Sequence, residues 1–419
     1  MIEPRPVVLI ANSCWYLAHY RLQLIKDLKK KFSSVIVIAP LDSSSKQISL
    51  VALHVPWSIS RSKDSSIFSL VKSFLRLLLL VRAVKPALIH SHTLKANLVS
   101  SLVANILGLP IIYSFAGLGR LSQTKGIKSF VFAYILKLIV RLSHYRRVSR
   151  FAFKSVEPPN LYIFQNHHDR DLFKKYVPFA GDHNLHTIYG SGVPTQYLVP
   201  FRGRNYFDDH FDSNFAISSL SPIFCARLLI SKGILTFCEL AQLLPQNQFH
   251  VFGSIDASAR DSLREIQLAE LTKRSSNITF YGHVSQPLLH RRPPYSILIV
   301  PTAYGEGLPR AIAEALALRI PVITSRKGTV GLFSDDLVYI VDSDDPLSYQ
   351  AALFQIFSDF QSGVLSKKLD RGFDFLTQNL QETSISSQTL ALYDSLLSGQ
   401  SDNYILSKNQ SDLVFRRLS

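Results

Sequence analysis

Two carboxylates eight positions apart, Glu306 and Glu314, lie in and just beyond a glycine-rich loop within residues 301–325, PTAYGEGLPRAIAEALALRIPVITS. The loop follows a strand-like run, SILIV, and leads into a helical run opened by Pro309, a residue that suits a first helical turn. Gly305 and Gly307 permit a tight turn and a close approach of backbone to ligand. The free amides of a helix N-terminus cradle phosphate, and carboxylates beside them accept hydrogen bonds from sugar hydroxyls. Upstream, Arg227 and Lys232 follow the strand-like run PIFCA and stand near the start of the next helix. Fixed cations there could serve an anionic ligand. Taken alone, the set also fits an ordinary strand–loop–helix unit with solvated charges.

Other groups carry less. His90 and His92 close the run ALIHSH, and His19 sits in WYLAHYR. Asp342 and Asp344 have the Asp-x-Asp spacing that can bind a divalent ion, but Asp345-Pro346 reads as a helix start, so the segment is expected to be a capping turn. No metal or other cofactor is expected. Cys14, Cys225 and Cys238 are too scattered for a disulfide framework and suit a reducing compartment.

The elements that must position these residues alternate. VVLIA, SVIVIAP, ALIHSH and PIIYSF are short β-branched runs separated by helical stretches, and PIFCA, QFHVFG, ITFYG, SILIVP and PVIT repeat the pattern later. This is the signature of βαβ units on parallel sheets. The expected fold is α/β, with two doubly wound halves joined near residues 180–190 and a ligand at the carboxyl ends of the strands.

Composition sets the class. The chain has 419 residues, 47% hydrophobic and 18% charged, enough for a large core and too little charge for disorder. Its formal net charge of +16 points to an anionic partner. The basic excess is concentrated: residues 65–156 contain no Asp or Glu. Within 130–145, Phe130, Tyr134, Ile135, Leu138, Leu142 and Tyr145 recur at helical spacing with Lys137, Arg141 and Arg146 between them, which suits either a basic amphipathic helix on a membrane surface or a core helix with a solvated basic face. Residues 70–84 and 129–142 are apolar but interrupted by charge, so neither is expected to span a bilayer. The N-terminus lacks a secretory pattern. Nucleic acid is not an expected partner, because the basic cluster is mixed with aliphatics and no recognised motif accompanies it.

The motif set resembles the retaining family-4 glycosyltransferases of the GT-B fold. Gly-Glu-Gly-Leu-Pro with a second glutamate eight positions after the first is similar to that family's Glu-x7-Glu motif. ARLLISKGI resembles its Ala-Arg-Leu-x-x-x-Lys-Gly segment, GSGV its domain-opening turn, and VFGS and ITFYGHV its next strand ends. HSHTLKANLV, SFAGLG and IFQNHHDRDLF resemble the branch that builds capsule and O-antigen repeat units on a lipid carrier. The resemblance spans about residues 5–397.

It implies two Rossmann-like domains facing each other across a cleft. Residues 1–182 would bind acceptor and 183–397 donor, with the last helix free to pack back on the first domain and 398–419 a polar tail. Arg227 and Lys232 would contact the diphosphate, Glu306 the transferred sugar and Glu314 the ribose. Gly192, His283, Gly305, Gly307 and Leu308 would complete the donor site through the main chain. On the acceptor side, Ala116 stands where the family has a histidine, leaving His92 or His19 as candidates, with Gly117 beside them. Pro194 and Arg319 replace a usual Asp and Gly.

The implied activity is metal-independent transfer of a hexose or N-acetylhexosamine from a nucleotide diphosphate-sugar, UDP first, to a lipid-linked saccharide. The implied place is the inner face of the cell membrane, against an anionic surface. A sugar-nucleotide epimerase of the same fold and a non-catalytic nucleotide-sugar-binding subunit are the alternatives.

Overall fold

The computed structural model describes residues 5–59, 67–118, 131, 133–141, 160–198 and 215–398, apart from 258, 260 and 306. Two compact units result: Met1–Ser191 with Thr383–Ser419, and Gly192–Glu382.

The first unit is built on a seven-stranded sheet in the order β3-β2-β1-β4-β5-β6-β7, with every neighbouring pair parallel. The strands are β1 (Val7–Ile10), β2 (Val35–Ala39), β3 (Leu53–Pro56), β4 (Leu88–His92), β5 (Ile111–Phe115), β6 (Asn160–Phe164) and β7 (Leu185–Thr187). The near-continuous apolar runs of β1, β2 and β5 follow from burial on both faces, as parallel sheets require. Val8 and Ile10 of β1 share one core with the helices Ile67–Val84, Leu94–Leu107 and His167–Tyr176. Val7 and Leu9 face the other core, with the helices Cys14–Tyr20, Leu22–Lys31 and Glu382–Ser398. The last helix therefore completes the first unit. Ser386 Oγ donates to Asp27 at 2.8 Å, and Tyr393 OH lies 2.7 Å from His90 Nδ1.

The second unit holds a six-stranded parallel sheet in the order β10-β9-β8-β11-β12-β13. Its strands are β8 (Ser221–Cys225), β9 (Phe249–Phe252), β10 (Ile278–Phe280), β11 (Ser296–Val300), β12 (Val322–Ser325) and β13 (Tyr339–Val341). Strand order reverses between β8 and β11, so the loops leaving these two strands border a crevice of the kind that binds ligands in open α/β sheets.

Three expectations can be set against the structure, the last of which, the capping turn, holds. The junction expected at 182/183 falls at 191/192, because Leu185 to Thr187 pair with Tyr162 to Phe164 and close the first sheet. Of the apolar stripe expected along 130–145, Ile135 packs against the core and Tyr134 is exposed, while Phe130, Leu142 and Tyr145 lie outside the described residues. Within 133–141 the core takes Leu136, Ile139 and Val140, while Val131, Tyr134, Lys137 and Arg141 are exposed. Residues 130, 132, 142–159 (with Arg146 among them) and 399–419 lie outside the described residues. At the Asp-x-Asp segment, Asp345 caps the helix Pro346–Gln361 by accepting from Leu347 N at 3.2 Å, whereas Asp342 pairs with Arg326. Among the described residues no group of three or more His, Cys, Asp or Glu is placed to hold a metal ion, and no helix is long and apolar enough to cross a membrane.

Candidate active site

The loops leaving β8 and β11 are stitched together. Ser231 O accepts from Ala303 N at 2.9 Å and from Thr302 Oγ1 at 3.3 Å. Gly233 adopts φ +80°, and a Cβ there would lie 2.0 Å from Pro301 O, so only glycine fits. Gly253, just after β9, is held as tightly, with Ala226 O 1.8 Å from its would-be Cβ, while its N–H donates to Gly282 O at 2.8 Å. The carboxyl ends of these parallel strands thus form one rigid rim.

Lys232 ends the short turn Ile230–Lys232 and is only 9% exposed. Its Nζ lies 5.0 Å from the centroid of the Tyr304 ring, on the loop after β11. An ammonium desolvated against an aromatic face keeps an electrostatic partner there. Arg227 behaves differently. Its side chain is 55% exposed, and Nη1 lies 2.6 Å from Asp256 Oδ2. An ion pair this open contributes little stability, so the guanidinium can exchange its partner.

Glu314 belongs to the helix Arg310–Ala317 and is 8% exposed. Arg310 Nε donates to its Oε1 at 2.6 Å, one helical turn away. Burial raises the Glu314 carboxyl above its usual range, against the pull of Arg310. Burial first, and then the Glu314 charge, push the Cys225 thiol up to about 12. Burial and the same carboxylate also raise the Tyr197 phenol. The Glu314 charge is thus felt at Cys225, the last residue of β8 and two positions ahead of Arg227.

The other candidates divide. Gly305 has open space where a side chain would stand: the nearest atom to a Cβ placed there is Lys327 O at 3.9 Å. Gly307 is buried and Leu308 half-buried. His283 is exposed just after β10. Glu306 lies outside the described residues. Gly192 has a reason of its own to be glycine, since at φ +69° a Cβ would meet Glu382 Cα and N at 2.7 Å. That contact sits where the chain enters and leaves the second unit. The two departures nearby are absorbed locally. Pro194 precedes the short turn Thr195–Tyr197, and Arg319 takes the left-handed φ of +51° that a glycine would, with its guanidinium 4.0 Å from the Phe373 ring and 3.0 Å from Asp370.

In the first unit, His92, a candidate for the acceptor side, ends β4 and is fully buried. Its ring lies 4.0 Å from that of His90, and among the described residues neither of its nitrogens has a hydrogen-bond partner. Burial, reinforced by the charges of His90 and Arg21, holds it well below the usual imidazole range. Thr93, next in the chain, has φ +74° and ψ 149°, a strained conformation for a β-branched residue. His19 is exposed and stacks on Trp15 at 4.4 Å. Gly117 has φ +91°, and the following Leu118 N–H donates to Asp169 Oδ2 at 3.0 Å. Asp169 is buried, which lifts its carboxyl to about 6.

Sequence reasoning missed Tyr304, Tyr197, Asp256 and Asp169. Only Arg310 left a trace, in its four-residue spacing from Glu314.

Comparison with known proteins fits these two units. Residues 7–155 match the family model described as glycosyl transferase 4-like, and residues 221–359 match glycosyl transferases group 1. The capsular polysaccharide biosynthesis glycosyltransferase CapM of Staphylococcus aureus is 26% identical over 311 residues, covering 72% of this chain and 74% of its own. The N,N'-diacetylbacillosaminyl-diphospho-undecaprenol alpha-1,3-N-acetylgalactosaminyltransferase of Campylobacter jejuni is 24% identical over 314 residues, covering 73% of this chain and 77% of its own. Among solved structures, sucrose-phosphate synthase from Thermosynechococcus elongatus aligns with a TM-score of 0.73 at 16% identity, over 94% of this chain and 100% of that one. Anabaena HepE in complex with UDP aligns with a TM-score of 0.69 at 15% identity, over 93% and 100%. These structural likenesses establish the fold, and the two family models establish the class. The chain belongs to the glycosyltransferases built from a 4-like domain followed by a group 1 domain, on the GT-B fold.

Proposed function

We propose that this glycosyltransferase moves a hexose or N-acetylhexosamine, with retention of anomeric configuration, from a UDP-sugar to a saccharide carried on a lipid diphosphate. The product would be a growing capsule or O-antigen repeat unit at the inner face of the cell membrane. The observation that carries the donor half of this reading is the placement of Lys232 and Glu314 on the loops and helix around the β8–β11 switch point. Lys232 is a nearly buried cation, and Glu314 a buried acceptor beside the end of β8. The acceptor half draws on the relatives: one is named for capsular polysaccharide, the other for a diphospho-undecaprenol substrate. The choice of UDP draws on the HepE complex.

The chemistry follows from these groups. The bond from the sugar's anomeric carbon to the diphosphate oxygen breaks, and a bond to the acceptor hydroxyl oxygen forms on the same face. The acceptor proton passes to the departing phosphate oxygen, and UDP leaves. Lys232 and an Arg227 released from Asp256 would stabilise the charge on that diphosphate. Glu314 would accept hydrogen bonds from the ribose hydroxyls, Glu306 would contact the transferred sugar, and His283 would lie along the base. Gly192, Gly305, Gly307 and Leu308 would present main chain. On the acceptor side we place His19 and Gly117. His92 enters only if its enclosing shell opens. No metal is required by this route.

Purified protein incubated with UDP-sugars and a diphosphate-linked saccharide tests the reading. A product of unchanged anomeric configuration, with UDP released only when acceptor is present, supports it. Inversion rejects the retaining route, and acceptor-independent interconversion of the donor favours the epimerase.

A further inference from the structure

The helix Ile67–Val84 is apolar on two opposite sides. Leu77 and Val81 are fully buried in the core cluster over β1 and β4. The other side exposes Phe68 (79%), Val71 (47%), Leu75 (50%) and Leu79 (68%). At about 100° per residue these four fall within an arc of about 80°, roughly opposite Leu77. Scattered exposed leucines are ordinary on a protein surface, but a continuous row on one helix marks an interaction face.

The charges beside the row select its occupant. Lys72, Arg76 and Arg82 are all exposed; Arg82 falls within the arc of the row and Lys72 just beside it, while Arg76 flanks it and its Nη2 donates to Pro56 O at 3.3 Å. No acidic residue occurs anywhere from 65 to 156. The stretch 133–141, packed into the same core cluster through Leu136, Ile139 and Val140, repeats the combination with exposed Val131 and Tyr134 beside Lys137 and Arg141. Large apolar side chains bordered by cations match a bilayer surface, where the apolar groups enter the headgroup–acyl boundary and the cations meet lipid phosphates. Long basic side chains can do both, laying their stems along the apolar layer.

We propose that the outward face of the helix Ile67–Val84 docks on an anionic phospholipid surface through Phe68, Val71, Leu75 and Leu79, with Lys72, Arg76 and Arg82 engaging the headgroups. Its purpose rests on the reading that the acceptor is lipid-linked, since docking there would hold the first unit where such an acceptor resides. The contact itself is a property of the helix and is measured without catalysis.

The test is co-sedimentation of the full chain with vesicles of phosphatidylglycerol and phosphatidylethanolamine, compared with phosphatidylcholine alone. The parent is expected to bind the anionic vesicles preferentially. The triple substitution Val71→Ser, Leu75→Ser, Leu79→Ser alters only exposed positions, should leave the melting temperature unchanged, and should weaken binding about tenfold or more. Replacing Lys72, Arg76 and Arg82 with Gln should weaken binding by about fivefold per charge at low salt. Leu50→Ser with Ile266→Ser, equally exposed but elsewhere, should bind as the parent does. Parent-like binding by the serine triple variant overturns the proposal. So does equal binding of the parent to both vesicle types, or a change in oligomeric state of the triple variant, which would make the face a protein interface. Transfer to a short-chain, water-soluble diphosphate acceptor keeps the two readings apart. A triple variant that loses vesicle binding yet retains this activity supports both. A parent that binds vesicles but transfers nothing preserves the docking face and rejects the proposed reaction.

Discussion

The Lys232 ammonium stands 5.0 Å from the centre of the Tyr304 ring, with both residues largely enclosed. The aromatic face stabilises the cation through its quadrupole, and a bound diphosphate would bring negative charge to the same ammonium. In the proposed reaction, Lys232→Ala should lower kcat/KM by about 2–4 kcal/mol, the loss expected when a preorganised charge facing the transition state is removed. Steady-state kinetics of sugar transfer measures it. Arg227→Ala should fall in the same range, and near-parental turnover in both variants would remove them from the site.

Gly233 and Gly305 lie on the two stitched loops but obey different constraints. Gly233→Ala drives a Cβ into Pro301 O at a positive φ and should destabilise the second unit by more than about 2 kcal/mol, read by urea denaturation. Gly305→Ala meets nothing closer than 3.9 Å and should leave stability unchanged. Its new methyl group would instead occupy space reserved for donor, so the donor KM should rise.

Glu314 is held in a position that costs stability. Its folded carboxyl has a raised pKa, so ionisation is less favourable in the folded than in the unfolded chain. Stability contributed by the protonated form is therefore lost as pH rises above the usual carboxylate range. Glu314→Gln carries no charge to desolvate and should melt no lower than the parent at pH 7.5. Nucleotide affinity should fall about tenfold or more, as when a charged hydrogen-bond acceptor is neutralised. Calorimetry and titration of the same sample separate the two effects.

Two groups of buried residues pull stability in opposite directions with pH. His90 and His92 are held well below the usual imidazole range, and burial lowers His186 to about 4. Their contribution is present above about pH 6.5 and is lost on acidification, when the unfolded chain takes up protons that the folded chain refuses. Asp169, raised to about 6 by burial, acts the other way, because its contribution is lost as pH rises from 3.8 toward 6. The three histidines outweigh the two raised carboxyls, Asp169 and Glu314, so the melting temperature should fall between pH 7 and 5. Asp169→Asn should steepen that fall.

Much of the scaffold is legible because parallel strands buried on both faces write themselves as unbroken apolar runs. VVLI and VIVIA admit few other readings. β7 does not, since its Leu-His-Thr is short and mixed, and only pairing with β6 assigns it to the first sheet. The 133–141 helix stays ambiguous in sequence because two apolar arcs are possible on one wheel, and which is buried depends on the sheet beneath. In the site, Arg227, Lys232 and Glu314 are visible through spacing. Tyr304, Asp256 and Tyr197 reach them only through folding, from positions 72 residues after Lys232, 29 after Arg227 and 117 before Glu314. Arg319 in place of glycine looks disruptive in sequence, yet Asp370 and Phe373 hold it in the required left-handed conformation.

Titration of UDP into the purified protein, its Lys232→Ala variant and its Glu314→Gln variant decides whether the β8–β11 crevice is a donor site. The expected result is parental binding with a Kd between about 1 μM and 1 mM, weakened about tenfold or more in each variant, with both variants folded. Undiminished UDP binding by both would contradict the assignment.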